Sequence, residues 1–172
     1  TGKTVGILGM GRIGQAIAHR CHHGFGMDVV FWNRSEKSVE IARQLPTIAE
    51  VCAAADIVVM AVAATPETRH LMNAEALAAM RAHAILVNIA RGDVVDEAAL
   101  VAALQAGRLA GAGLDVYEHE PHVPDALRAM ENVTLLPHLG TAALEVREAM
   151  GRMALDNAVA IAEGRTPPNP VP

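Results

Sequence analysis

Apolar and polar positions along this chain fall into short blocks that alternate between two periods. Thr4 to Leu8, Asp28 to Trp32, Asp56 to Val62 and Ala84 to Ile89 are nearly continuous apolar runs, the pattern of strands buried on both faces. Leu109 to Val116, spaced by glycines, and Val133 to Leu136 read as two further strands. Between them lie segments of helical character. These are Arg12 to His22, Ser35 to Gln44 with Ser35 as its cap and Pro46 ending it, Ile48 to Ala54, Asn73 to Arg81, Glu97 to Ala106 behind the cap Asp96, Asp125 to Met130, and Thr141 to Glu163. Gly107 and Gly164 sit where two of these helices end. Strands alternating with helices predict an α/β fold, a doubly wound parallel sheet of the Rossmann type in a single three-layer domain. The short link from Leu45 to Asp56 speaks against a sheet strand in that stretch.

Composition narrows the picture. The chain has 172 residues, 52% hydrophobic and 2% aromatic, so Ala, Val, Leu, Ile and Met must build the core. The net charge of −5 and the dispersed basic residues argue against a nucleic-acid partner. No apolar run is long enough to span a bilayer, which argues against a membrane partner. Cys21 and Cys52 have no metal-ligand spacing and read as apolar filler, consistent with a cytoplasmic protein; no metal site is expected.

The first candidate chemistry is Gly9-Met10-Gly11-Arg12-Ile13-Gly14, between an apolar strand and a helix. In this G-x-G-x-x-G pattern Gly9 permits a tight turn, Gly11 lets backbone approach a pyrophosphate, and Gly14 lets helix pack on strand. The helix amides, from Arg12 and Ile13 on, suit phosphate. Ligands bind beyond the carboxyl ends of strands in such sheets. At the end of the second strand an acidic residue would bind the ribose of NAD; this chain has Asn33, Arg34 and Ser35 instead. Arg34 suits the 2′-phosphate of NADP, with Ser35 adding a hydroxyl and a helix N-terminal amide, so NADP is expected over NAD.

Three further strand ends carry reactive side chains: Asn88 to Asp96 with Arg91, Gly113 to Pro121 with Asp115, Glu118 and Glu120, and Leu136 to Gly140 with His138. Together with residues 2 to 14 and Thr65-Pro66-Glu67-Thr68, these segments resemble the D-isomer-specific 2-hydroxyacid dehydrogenases over nearly the whole chain. The Asn-Arg-Ser stretch resembles the glyoxylate/hydroxypyruvate reductase branch. The resemblance implies a catalytic set in which His138 is the acid/base, Glu120 tunes it and Arg91 holds a small 2-keto acid. It places Asp115 near the nicotinamide amide, and Ala63, Thr65, Ile89, Ala90 and Gly140 along the cofactor. By spacing from Asp115 the family carboxylate is Glu120, leaving Glu118 as a solvated neighbour. His22, His23, His119 and His122 read as surface histidines.

Residues 1 to 165 are expected to form the dinucleotide-binding domain, and the proline-rich residues 166 to 172 a tail. The resemblance adds an expectation about the rest of the protein. It implies that the first half of the substrate domain precedes Thr1, so that the isolated chain binds cofactor and turns over little, and it implies a homodimer. Ala63-Ala64 stands where the family commonly has Pro-Leu, which predicts a looser loop. A β-hydroxyacid dehydrogenase needs a catalytic Lys on a later helix, and the chain's lysines are Lys3 and Lys37. A non-catalytic NAD(P)(H)-sensing module on the same fold is the other alternative; Arg34 argues against NADH sensing.

Overall fold

A computed structural model describes residues 1 to 170. Seven parallel strands form one sheet in the order β3-β2-β1-β4-β5-β6-β7: β1 (Thr4–Leu8), β2 (Asp28–Trp32), β3 (Arg43–Gln44), β4 (Ile57–Met60), β5 (Ile85–Asn88), β6 (Gly111–Leu114) and β7 (Val133–Leu135). The helices are α1 (Arg12–Phe25), α2 (Ile48–Ala54), α3 (Ala74–Ala79), α4 (Glu97–Gln105), α5 (Asp125–Arg128) and α6 (Leu144–Ala162). The doubly wound parallel architecture expected from the alternating pattern is thus present. The chain divides into two compact units, Thr1–Pro137 and a second that begins at His138. Val171 and Pro172, the end of the predicted tail, lie outside the described residues.

The sheet of the first unit has an apolar cluster on each face. One surrounds Leu8, Val58, Met60, Leu86 and Leu114 with α2 to α4, and the other surrounds Ile7, Phe31 and Met10 with α1. Strand neighbours alternate between the two, as period-2 geometry requires. The caps of α3 and α4 are in place. Asn73 Oδ1 accepts from the Ala76 amide at 3.0 Å and Asp96 Oδ1 from the Ala99 amide at 2.9 Å. Helix α1 runs three residues further than expected, to Phe25, and is closed by Gly26 at φ +61°. Cys52 is fully buried, and burial pushes its thiol up to about 12.

One segment differs from the sequence reading. Ser35 to Gln44 contains no helix, and Ser35 is not a helix cap. A strand does lie in this region, just before Leu45: Arg43–Gln44 pairs with Val30 and Phe31 as the edge strand β3, and the Leu45 amide bonds to the Phe31 carbonyl at 2.8 Å. Val39, Ile41 and Ala42 pack onto the Phe31 cluster from the turn between. Satisfying the open backbone edge of β2 outweighs the local helical pattern.

In the second unit Ala142 N bonds to Leu139 O at 2.9 Å ahead of α6, and Gly164 follows the helix at φ +70°. Asn157 on α6 ties down the tail, its Oδ1 accepting from the Asn169 amide at 2.9 Å.

Candidate active site

Strand β1 lies between β2 and β4, so connections leave it in both directions and a crevice opens at its carboxyl end. The glycine turn fills the floor of that crevice. Gly9 adopts φ +100°, and a Cβ on Gly14 would lie 2.1 Å from the Gly9 carbonyl oxygen, so only glycine lets α1 start this close to β1. A Cβ on Gly11 would meet open space, and no side chain caps α1 there, leaving the first-turn amides directed at the crevice.

Two cavities flank the turn and share Gly11 and Ala61 to Ala63. One, of about 260 Å³, is lined by Trp32, Asn33, Arg34, Ser35, Thr65 and Glu67. The other, of about 580 Å³, is lined by Arg12, Ile13, Ala64, Ile89, Ala90 and Arg91. An extended molecule with phosphates at the shared wall and a ring at either end fits this arrangement.

In the first cavity Asn33 is committed to the protein. Its Oδ1 accepts from the Met10 amide at 3.1 Å, and its Nδ2 donates to the Ser35 carbonyl at 2.9 Å, with Ser35 Oγ at 3.1 Å. Asn33 therefore braces the glycine turn against the segment carrying Arg34. Ser35, having no helix to cap, offers its hydroxyl and no helix amide. Glu67 lines the same cavity as Arg34, and its carboxyl is held below the usual range by a hydrogen bond from Thr65, its own amide and the Arg34 charge. The Ala63-Ala64 loop is braced from within: Thr68 Oγ1 accepts from the Thr65 amide at 2.8 Å and donates to the Ala63 carbonyl at 2.7 Å.

In the second cavity, buried Asn88 at the end of β5 shapes the turn bearing Arg91. Its Oδ1 accepts from the Ala90 amide at 3.0 Å and its Nδ2 donates to the Arg91 carbonyl at 2.9 Å. Gly92 follows, and a Cβ there would fall 1.8 Å from the Tyr117 carbonyl carbon. The Arg91 turn is thereby pressed onto the segment after β6. That segment begins with buried Asp115 and folds back so that Glu120 Oε1 accepts from the Tyr117 amide at 3.1 Å. The Tyr117 hydroxyl is 2.9 Å from the Leu136 carbonyl oxygen, and burial raises its pKa.

Glu118 is not a solvated neighbour. Its side chain is 15% exposed and lies 2.7 Å from His70 Nε2 and 3.4 Å from Arg69. Behind it sits Glu97, whose pKa is raised by burial. His22 is likewise half-buried, with Nδ1 3.2 Å from the Met27 carbonyl oxygen. His119 and His122 are exposed, as expected. His138, at φ +57°, and Gly140 are exposed in the second unit. Among the described residues no His/Cys/Asp/Glu group could hold a metal ion, and no helix is long and apolar enough to cross a membrane.

Residues 1 to 140 match the family model of the D-isomer specific 2-hydroxyacid dehydrogenase, NAD binding domain. The chain belongs to this dehydrogenase family. It is 47% identical to a glyoxylate reductase of Pyrococcus furiosus over 97% of its own length and 50% of that protein's. A solved NADPH-dependent glyoxylate/hydroxypyruvate reductase of Sinorhizobium meliloti, in complex with NADP and malonate, is 43% identical with a TM-score of 0.90, covering 92% of this chain and 50% of that one. D-mandelate dehydrogenase of Rhodotorula graminis, in its holo form, is 34% identical with a TM-score of 0.93, covering 99% and 51%. The chain thus spans about half the length of these relatives.

Two residues that hold these turns carry little signal in the sequence. For Asn88 the signal is a polar amide that ends an apolar strand; in the structure it is buried and hydrogen-bonded. His70 carries no local signal: its partners lie 23 and 48 residues away.

Proposed function

We propose that this chain is the cofactor-binding half of an NADPH-dependent 2-hydroxyacid dehydrogenase that reduces a small 2-keto acid of the glyoxylate or hydroxypyruvate type to the D-2-hydroxy acid. NADH is the weaker alternative cofactor. The observation that carries the reading is the cavity at the end of β2, where Arg34 stands and no acidic residue ends the strand. Its similarity to a glyoxylate reductase and to an NADPH-dependent glyoxylate/hydroxypyruvate reductase supports it.

When bound, NADPH supplies the hydride. Gly9, Gly11, Arg12, Ile13 and Gly14 would hold its pyrophosphate, and Arg34 with Ser35 its 2′-phosphate. Ala63, Thr65, Ile89, Ala90 and Gly140 would line it, and Asp115 would bind its carboxamide. Arg91 holds the substrate carboxylate and polarises the keto group. His138 gives a proton to the carbonyl oxygen, and Glu120 stabilises its protonated form. We also propose a cytoplasmic homodimer. Leu144, Met150, Met153, Leu155 and Ile161 of α6 are each at least half exposed, an apolar surface that suits a second subunit.

The test is NADPH oxidation by the intact protein with glyoxylate and with hydroxypyruvate. Turnover that falls at least about a hundredfold in Arg91→Ala supports the reading. Tight NADPH binding with no turnover of either acid rejects it in favour of a sensing module.

A further inference from the structure

His70 stands at the junction of three strand-end segments. It closes the loop that begins at Thr65, and it adopts φ +50°, the left-handed region that His tolerates better than most side chains. Its amide donates to the Asp93 carbonyl at 2.8 Å, which ties that loop to the turn after Arg91. Its ring reaches the other way, to Glu118 Oε1 at 2.7 Å. Facing a carboxylate, Nε2 is the donor. Glu118 is mostly buried and lies two residues before Glu120, in the fold whose Tyr117 amide binds Glu120 Oε1.

We infer that His70 is a positioning residue of the active site: its bond to Glu118 sets the direction of the Glu120 carboxylate, while its backbone independently anchors the Arg91 turn. The proposal rests on the assignment of Glu120 to the reaction. The two links separate cleanly. Removing the ring leaves the amide bond to Asp93, so the Arg91 turn and the cofactor loop stay in place. What is lost is the orientation of a carboxylate that acts during proton transfer. The defect therefore belongs to kcat and not to the binding of NADPH or keto acid.

His70→Leu and His70→Gln are equally ill-suited to φ +50°, so backbone strain is common to both and their difference reads the hydrogen bond. In the intact protein, with glyoxylate and NADPH and with sites counted by NADPH binding, His70→Leu is expected to lower kcat about tenfold. Both KM values stay within about twofold, and His70→Gln, whose amide donates to Glu118, recovers kcat to within about threefold of wild type. Should His70→Leu not fold, Glu118→Leu breaks the bond from the other side together with the Arg69 contact, and carries the same expectation provided Arg69→Leu, which removes that contact alone, keeps wild-type kcat. Wild-type kcat in the Leu variant, equal losses in Leu and Gln, or a loss confined to the KM for NADPH overturns the proposal. Glu120→Gln, measured in parallel, separates the two levels. If it is impaired while His70→Leu is not, the proposal alone falls; if it is as active as wild type, the assignment of Glu120 falls and the proposal with it.

Discussion

At the amino edge of the sheet, Asp56 draws in the charges around it. Its Oδ2 accepts from the Thr4 amide at 2.8 Å, and its Oδ1 lies 2.6 Å from His83, 3.4 Å from Arg81 and 4.0 Å from Lys3. At the carboxyl edge, Arg34 and Arg91 instead line open cavities, and buried or half-buried amides of Asn33 and Asn88 hold the backbone that presents them. The same parallel strands end in both places. Around Asp56 charge is paired within the protein, whereas Arg34 and Arg91 line cavities. Among the described residues of the first unit, the non-glycine residue with a positive φ is His70, at +50°, on the carboxyl side.

The largest effect that tests this contrast comes from Gly92→Ala. The obstacle is backbone, the Tyr117 carbonyl, so relaxation must part the Arg91 turn from the Glu120 segment. We expect a loss of about 3 kcal/mol or more in chemical denaturation, and loss of turnover in whatever folds. A variant of wild-type stability would show that the two segments are not pressed together.

A smaller effect is expected at the amino edge. The Thr4 amide, the His83 bond and the Lys3 and Arg81 charges hold the Asp56 carboxyl at about 2. A depressed carboxyl stabilises the fold above its unfolded pKa of about 4, and that stabilisation is lost as pH falls through its folded value. Asp56→Asn should cost on the order of 1–2 kcal/mol at neutral pH, with the gap to wild type closing between about pH 4 and pH 2. NADPH affinity should not change. A gap that persists unchanged at the acid end would point to lost packing, and a change in cofactor affinity would erase the distinction between the edges.

Much of the carboxyl edge was legible in the sequence because its signals are local. The glycine turn, the cap residues Asn73 and Asp96, and the apolar runs of β1 and β2 each declare themselves within a few residues. What was not legible depends on partners distant in the chain. Ser35 to Gln44 has a helical pattern, yet it supplies the edge strand that β2 requires. Glu118 looks like a surface charge until Gly92 and His70 enclose it.

The most direct test of the central claim, that the cavity at the end of β2 is built for NADP(H), is a fluorescence titration of wild type and Arg34→Asp with NADPH and NADH. Wild type is expected to bind NADPH at least about tenfold more tightly than NADH, and Arg34→Asp to reverse the order. Equal affinities in wild type, or an unchanged preference in the variant, would contradict it.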